Sequence, residues 1–173
     1  MSRPRVLAVV QARAGSSRLP GKVLLPLAGT PVLGWVVRAA RAAAGVDEVV
    51  VATSIDPGDD AVADLAGDLG VPVVRGSEHD VLSRFLLAVQ RHPADAVVRL
   101  TADCPMLDPA LIGQVVALWR AAPDQDYVAT TLVRTLPRGL DVELATVGAL
   151  RRVSATATGH HRTHVTSGLY ADP

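Results

Sequence analysis

Four short, nearly unbroken apolar runs constrain this chain most: Val6 to Val10, Glu48 to Thr53, Val71 to Arg75 and Ala96 to Leu100. Runs so poor in polar residues read as strands buried on both faces. Between and after them, apolar residues recur at helical spacing. Leu33, Val36, Val37 and Ala40 follow Thr30-Pro31, which reads as an N-cap with proline at the first helical position. Val62, Leu65, Ala66 and Leu69 form a second stripe, closed by Gly70. Asp80 caps a third helix with Leu82, Phe85, Leu86 and Val89 inward. Asp108-Pro109 repeats the cap-plus-proline device before Leu111, Ile112, Val115, Val116 and Trp119, and Tyr127 to Thr131 reads as a further strand. Strands alternating with helices predict an α/β fold, a mostly parallel sheet with helices on both faces. With no repeat, linker or low-complexity tract, residues 1–173 read as a single domain.

The first strand runs into Gln11-Ala-Arg-Ala-Gly-Ser-Ser-Arg-Leu-Pro-Gly-Lys22. Small residues let a backbone approach a ligand and point N–H groups at it. Arg13, Arg18 and Lys22 add three cations. Lys22 is the only lysine among 17 basic residues, so a chain that otherwise uses planar guanidinium forks places its one mobile point charge here. Strand followed by cationic loop predicts a polyanion cradle, most naturally for a nucleoside triphosphate. It is not a Walker loop: Gly15 and Gly21 are one residue too far apart, and Val23 stands where a metal-binding hydroxyl belongs. G-x-G-x-x-G is absent as well.

Formal net charge is zero, which argues against general affinity for nucleic acid or membrane. The distribution is uneven: residues 1–46 hold seven basic side chains and no acidic one, placing positive potential near the loop. Hydrophobic residues make up 49% of the chain but aromatics only 3%, so the core must be built from Val, Leu and Ala. The single cysteine, Cys104, excludes an internal disulfide and suits a reducing compartment. The opening apolar run is too short for a signal peptide, and no run approaches a membrane span. The expected location is cytoplasmic.

Asp103 directly follows the fourth strand, in Arg99-Leu-Thr-Ala-Asp-Cys-Pro105. A carboxylate at a strand's C-terminal end suits Mg²⁺ that also bridges substrate phosphates; it also suits a turn before proline. Cys104 reads as a small buried side chain rather than a nucleophile. Gly139-Leu-Asp-Val-Glu143 places Asp141 and Glu143 on one strand face, towards an acceptor or metal, or as a solvated edge. His160, His161 and His164 lack a companion Cys or carboxylate that would complete a zinc site. If the first and fourth strands are neighbours, the loop cations and Asp103 share one crevice at the strand ends.

The run QARAGSSRLPGKVLLPLAGTPVL resembles the N-terminal signature of cytidylyltransferases that activate acidic sugars, the CMP-Kdo and CMP-acylneuraminate synthetases, and especially their SpsF-like spore-coat polysaccharide branch. The likeness continues in order through VVVATSIDPGDD, VVRGSEHDVLSRF, VVRLTADCPMLDP, LPRGLDVE and HHRTHVTSGLY. It implies a Rossmann-like sheet of the nucleotide-diphospho-sugar transferase type. It implies transfer of CMP from CTP to an acidic acceptor, with Arg13, Arg18 and Lys22 on the triphosphate and Mg²⁺ on Asp103. Nucleotide contacts then fall on Gln11, Ala12, Arg13, Gly15, Ser16, Ser17, Arg75 and Ser77, and acceptor contacts on Arg138, Asp141, Arg162 and His164. A homodimer is implied too. Family members run on through a further strand, a helix and a V-D-T-P-E-D-like motif carrying a second metal carboxylate; this chain ends at Pro173 without them. Two alternatives follow: a non-catalytic nucleotide-binding or subunit protein on this fold, or a nucleotide-sugar glycosyltransferase. The missing D-x-D strand-end motif argues against the second.

Overall fold

The structure, a computed structural model, describes residues 3–16 and 18–171. Strand β1 (Val6–Gln11) leads into the cationic loop, then a small antiparallel pair, β2 (Pro26–Leu27) and β3 (Thr30–Pro31). Next come α1 (Val32–Ala42), β4 (Glu48–Ser54), α2 (Asp60–Asp68), β5 (Val73–Gly76), α3 (Val81–Arg91) and β6 (Ala96–Thr101). The chain continues with α4 (Pro109–Ala121), β7 (Tyr127–Ala129), β8 (Glu143–Thr146), α5 (Val147–Thr156) and two single turns, α6 (His160–Thr163) and α7 (Ser167–Tyr170). The six-stranded sheet has the order β5-β4-β1-β6-β8-β7. The first four strands in that order run parallel; β8 pairs antiparallel with β6 and with β7. The mostly parallel sheet expected from the apolar runs is present.

Alternation along β1 divides the core. Val6, Ala8 and Val10 pack with α1, α2 and α4 residues on one face; Leu7 and Val9 pack with α3 and α5 residues on the other. Both faces are covered, which is why the strands read as continuous Val runs rather than alternating ones. Strand order reverses between β1 and β6. From β1 the chain builds outward through β4 and β5, then returns to β6 on the opposite side. Such a switch opens a crevice beyond the strand C-termini, and both polar motifs end there.

Local expectations hold at Asp80, which accepts from the Ser83 N–H at 2.9 Å, and at Asp108, which accepts from the Ala110 N–H at 2.8 Å. At Thr30 the structure differs. The α1 N-cap is Pro31, and Thr30 pairs with Leu27 in the small hairpin. The hairpin holds both residues extended, so the helix starts one residue later than the Thr-Pro signal suggests. Asp141 and Glu143 also part company. Only Glu143 lies in β8; Asp141 precedes it and is clasped by Arg134 at 2.7 and 3.2 Å. Glu143 is no solvated edge, being 7% exposed and cross-strand from Arg99.

Candidate active site

Parallel pairing of β1 with β6 sets Gln11 beside Thr101. The loop after β1 and the turn after β6 therefore face each other. Together Gln11, Arg13, Gly15, Ser16, Lys22 and Asp103 line most of a cleft of about 330 Å³. Lys22 forms an ion pair with Asp103 across it. Burial alone would push the Asp103 carboxyl up, but the Lys22 hydrogen bond and charge outweigh that and hold it below the usual carboxylate value. The other Asp103 oxygen lies 3.8 Å from the Cys104 thiol, and the Thr101 hydroxyl and the backbone add smaller lowering contributions. That thiol is pushed up by burial, by Asp103 and by Asp141, which suits an inert neighbour rather than a nucleophile.

The loop's shape comes from its backbone. The Gly21 N–H donates to the Ala14 carbonyl at 2.8 Å, and Gly21 sits at φ 66°, a conformation that favours glycine. The turn that follows carries Lys22 into the cleft. The other end is pinned by Asp59, whose carboxylate is 4% exposed. It accepts from the Ala14 N–H at 2.7 Å and from the Ser54 hydroxyl. In sequence Asp59 looks like one more acidic residue in a helix-opening turn; only the β1–β4 pairing brings it under the loop. Burial would raise its carboxyl, but the hydrogen bonds from Ser54 and Ala14 lower it overall.

Asp59 and Asp103 are thus both more acidic folded than unfolded. Their contribution to stability is complete above an unfolded carboxylate value of about 4 and disappears as pH falls through their lower folded values. The expected urea midpoint is level from neutral pH to about pH 5 and falls steeply below about pH 4. Asp59→Ala, which strands the Ala14 N–H and the Ser54 hydroxyl, costs about 2–3 kcal/mol at neutral pH. Urea titration at several pH values checks both.

A second network supports Gln11. Arg99 pairs with Glu143 and donates from Nε to Gln11 Oε1 at 3.3 Å. Glu143 also accepts from the Tyr127 hydroxyl at 2.5 Å and the Thr166 hydroxyl at 2.7 Å. Burial, then the Glu143 charge, pushes the Tyr127 phenol far up, so it stays neutral and keeps its proton for the Glu143 carboxylate. Removing one partner of a buried pair leaves the other charge uncompensated. Glu143→Ala is therefore expected to cost about 3–5 kcal/mol, read as a lower urea midpoint.

Other sequence-selected residues lie elsewhere. Ala12 is buried beside β4, its N–H donating to the Ala52 carbonyl at 3.0 Å. Arg18 is exposed on the loop. Ser17 lies outside the described residues. Arg75 ties down the β4–α2 turn, donating to the Ser54 and Asp56 carbonyls and pairing with Asp60. The Ser77 hydroxyl accepts from the Asp80 N–H at 3.1 Å. Arg138 is exposed. Arg162 is bound to the Ala157 and Ser154 carbonyls and to Asp80, which makes it a brace between α3 and the C-terminal turns. His164 is exposed and stacks on His160 at 4.0 Å. Burial, His160 and Arg99 hold its imidazole below the usual value. Among the described residues no group of three His, Cys, Asp or Glu is arranged to hold a metal ion.

A cationic, glycine-closed loop faces a carboxylate at the switch point of a mostly parallel sheet, the place where open α/β proteins take their ligands. Residues 7–146 match the cytidylyltransferase family, and the chain belongs to that family. Two relatives illustrate the likeness. The spore coat polysaccharide biosynthesis protein SpsF of Bacillus subtilis is 36% identical, over 86% of this chain and 62% of its own. The 3-deoxy-manno-octulosonate cytidylyltransferase of Acidobacterium capsulatum is 37% identical, over 90% of this chain and 60% of its own. The chain thus spans about three-fifths of the length of these curated relatives. Among solved structures, a cytidylyltransferase from Leptospira borgpetersenii superposes with a TM-score of 0.91 at 32% identity, covering 98% of this chain and 72% of that one.

Proposed function

We propose that the protein is a nucleotidyltransferase domain that moves CMP from CTP to an acidic acceptor, of the sugar-acid class, and releases pyrophosphate. The observation that carries this is the Lys22–Asp103 pair spanning the β1/β6 crevice, with Arg13 on the same wall. Family membership supports the nucleotide, and the 3-deoxy-manno-octulosonate cytidylyltransferase of Acidobacterium supports the acceptor class.

In this reaction an acceptor oxygen attacks the α-phosphorus. The bond from that phosphorus to the bridging oxygen breaks, and the acceptor proton goes to solvent. Nothing covalent is asked of the protein; positioning and charge neutralisation carry such chemistry. Arg13, Arg18 and Lys22 hold the triphosphate and stabilise charge growing on pyrophosphate. The exposed loop N–H groups around Gly15 and Ser16 orient it.

Asp103 fits a divalent cation that arrives with its phosphates. Among the described residues no further His, Cys, Asp or Glu groups with it into a three-ligand cage, the pattern of Mg²⁺ rather than zinc. Such a cation, when bound, neutralises phosphate oxygens. Asp103 would hold that cation, and Lys22, no longer paired with Asp103, would be free to meet the phosphates. The acceptor carboxylate requires a cation, for which exposed Arg138 is the candidate, Arg162 being committed to Ala157, Ser154 and Asp80. The reading extends to a cytoplasmic homodimer, supported by exposed Leu132, Val133 and Tyr170 near the C-terminal turns.

The test is pyrophosphate release from CTP with Mg²⁺ and a panel of sugar acids. Release that depends on CTP and one acidic acceptor is expected. Tight CTP binding without release under any acceptor would replace this reading with a nucleotide-binding module.

A further inference from the structure

Arg84, on the inner face of α3, is 0% exposed, and its Nε, Nη1 and Nη2 have no hydrogen-bond partner among the described residues. A buried guanidinium without an acceptor is costly and rare. It lies against β5: a methyl placed on Gly76 would come within 2.9 Å of Arg84 Cγ. Gly76 is therefore what lets the side chain lie there.

Arg84 lies within the electrostatic reach of Asp59, Glu78 and Asp80. Asp59 is committed to Ala14 and Ser54, and Asp80 to Ser83 and Arg162. Glu78 is different. Its carboxylate is held by Arg13, at 2.5 Å, and Arg13 also donates to the Glu78 carbonyl at 3.4 Å. Arg13 lines the cleft and is the cation a triphosphate claims. Burial and the Arg13 charge both disfavour the Arg84 guanidinium, while the Asp59, Glu78 and Asp80 charges favour it, so the departure of Arg13 removes a repulsion.

We propose that Arg84 is a positioning residue: when a triphosphate draws Arg13 into the cleft, the Glu78 carboxylate passes from Arg13 to Arg84. One ion pair is exchanged for another, and binding no longer strands a carboxylate. The segment from Ser77 to Asp80 stays anchored while Arg13 is released. This rests on the polyanion reading of the cleft and deepens it.

The test is calorimetric binding of inorganic tripolyphosphate to the unmodified chain, Arg84→Met, Glu78→Gln and the double variant. Arg84→Met is expected to weaken binding about tenfold, within the coupling range of contacting charged groups. In the Glu78→Gln background the same substitution is expected to change little, and Arg84→Lys to recover most of the loss. Unchanged affinity in Arg84→Met, or an equal loss in both backgrounds, overturns the exchange. Should Arg84→Met not fold, a crystal structure of the unmodified protein with tripolyphosphate decides. Glu78 on Arg84 is expected; Glu78 still on Arg13 overturns it. If the unmodified chain does not bind tripolyphosphate in this cleft, the polyanion reading itself falls, and the exchange with it. Binding without coupling between positions 78 and 84 removes the exchange alone.

Discussion

Lys22→Ala is expected to lower pyrophosphate release by about 10³-fold, the scale at which one preorganised donor to developing charge is felt. Lys22 is the one compact, mobile ammonium in the chain. It stands at the cleft's edge with its nitrogen on Asp103. No described guanidinium takes that place: Arg13 is committed to Glu78, and a planar fork does not substitute for a point charge. Lys22→Arg should therefore recover only part of the loss. The side chain is outside the core but holds the Asp103 carboxylate, so stability should fall by no more than about 1 kcal/mol. Steady-state pyrophosphate release with matched urea curves checks this. Turnover like that of the unmodified chain would remove Lys22 from the mechanism.

Asp103→Asn is expected to separate binding from turnover. The amide keeps the shape and loses the charge. Lys22 is then no longer held, and affinity for the triphosphate without a divalent ion should stay level or rise. Pyrophosphate release with Mg²⁺ should fall by about 10²–10³-fold, since the carboxylate that takes the cation is gone. Lys22 keeps Asp103 below the ordinary carboxylate range, so in the free protein this group is fully charged at neutral pH. Parallel loss of metal-free binding and turnover would mean that Asp103 shapes the pocket rather than serving the cation.

The legible parts of the fold were those with local causes. Unbroken Val runs announced strands covered on both faces, and Asp80 and Asp108 announced helix starts because a cap acts within a few residues. The β1–β6 adjacency rested on topology, and the sequence offered only the coincidence of two polar motifs at strand ends. Its presence is what turns Lys22 and Asp103 into partners. Residues whose roles depend on distant partners were hidden. Asp59 looks like any acid in a turn until the β1–β4 pairing sets it beneath Ala14. Glu143 looks like a solvent-facing residue until β8 aligns it with Arg99. Nothing local in the sequence says that α3 turns Arg84 inward over Gly76. The same blindness affects arginines selected by position alone: the braces made by Arg75 and Arg162 involve carbonyls that no side-chain pattern records.

The central claim is that the glycine-closed loop and Asp103 grip opposite sides of a nucleoside triphosphate. A crystal structure with CTP and Mg²⁺ tests it most directly. The account predicts the triphosphate beyond the ends of β1 and β6, with Arg13 and Lys22 on its oxygens and the cation between it and Asp103. Nucleotide bound elsewhere, with Lys22 still on Asp103 and Arg13 still on Glu78, would contradict it.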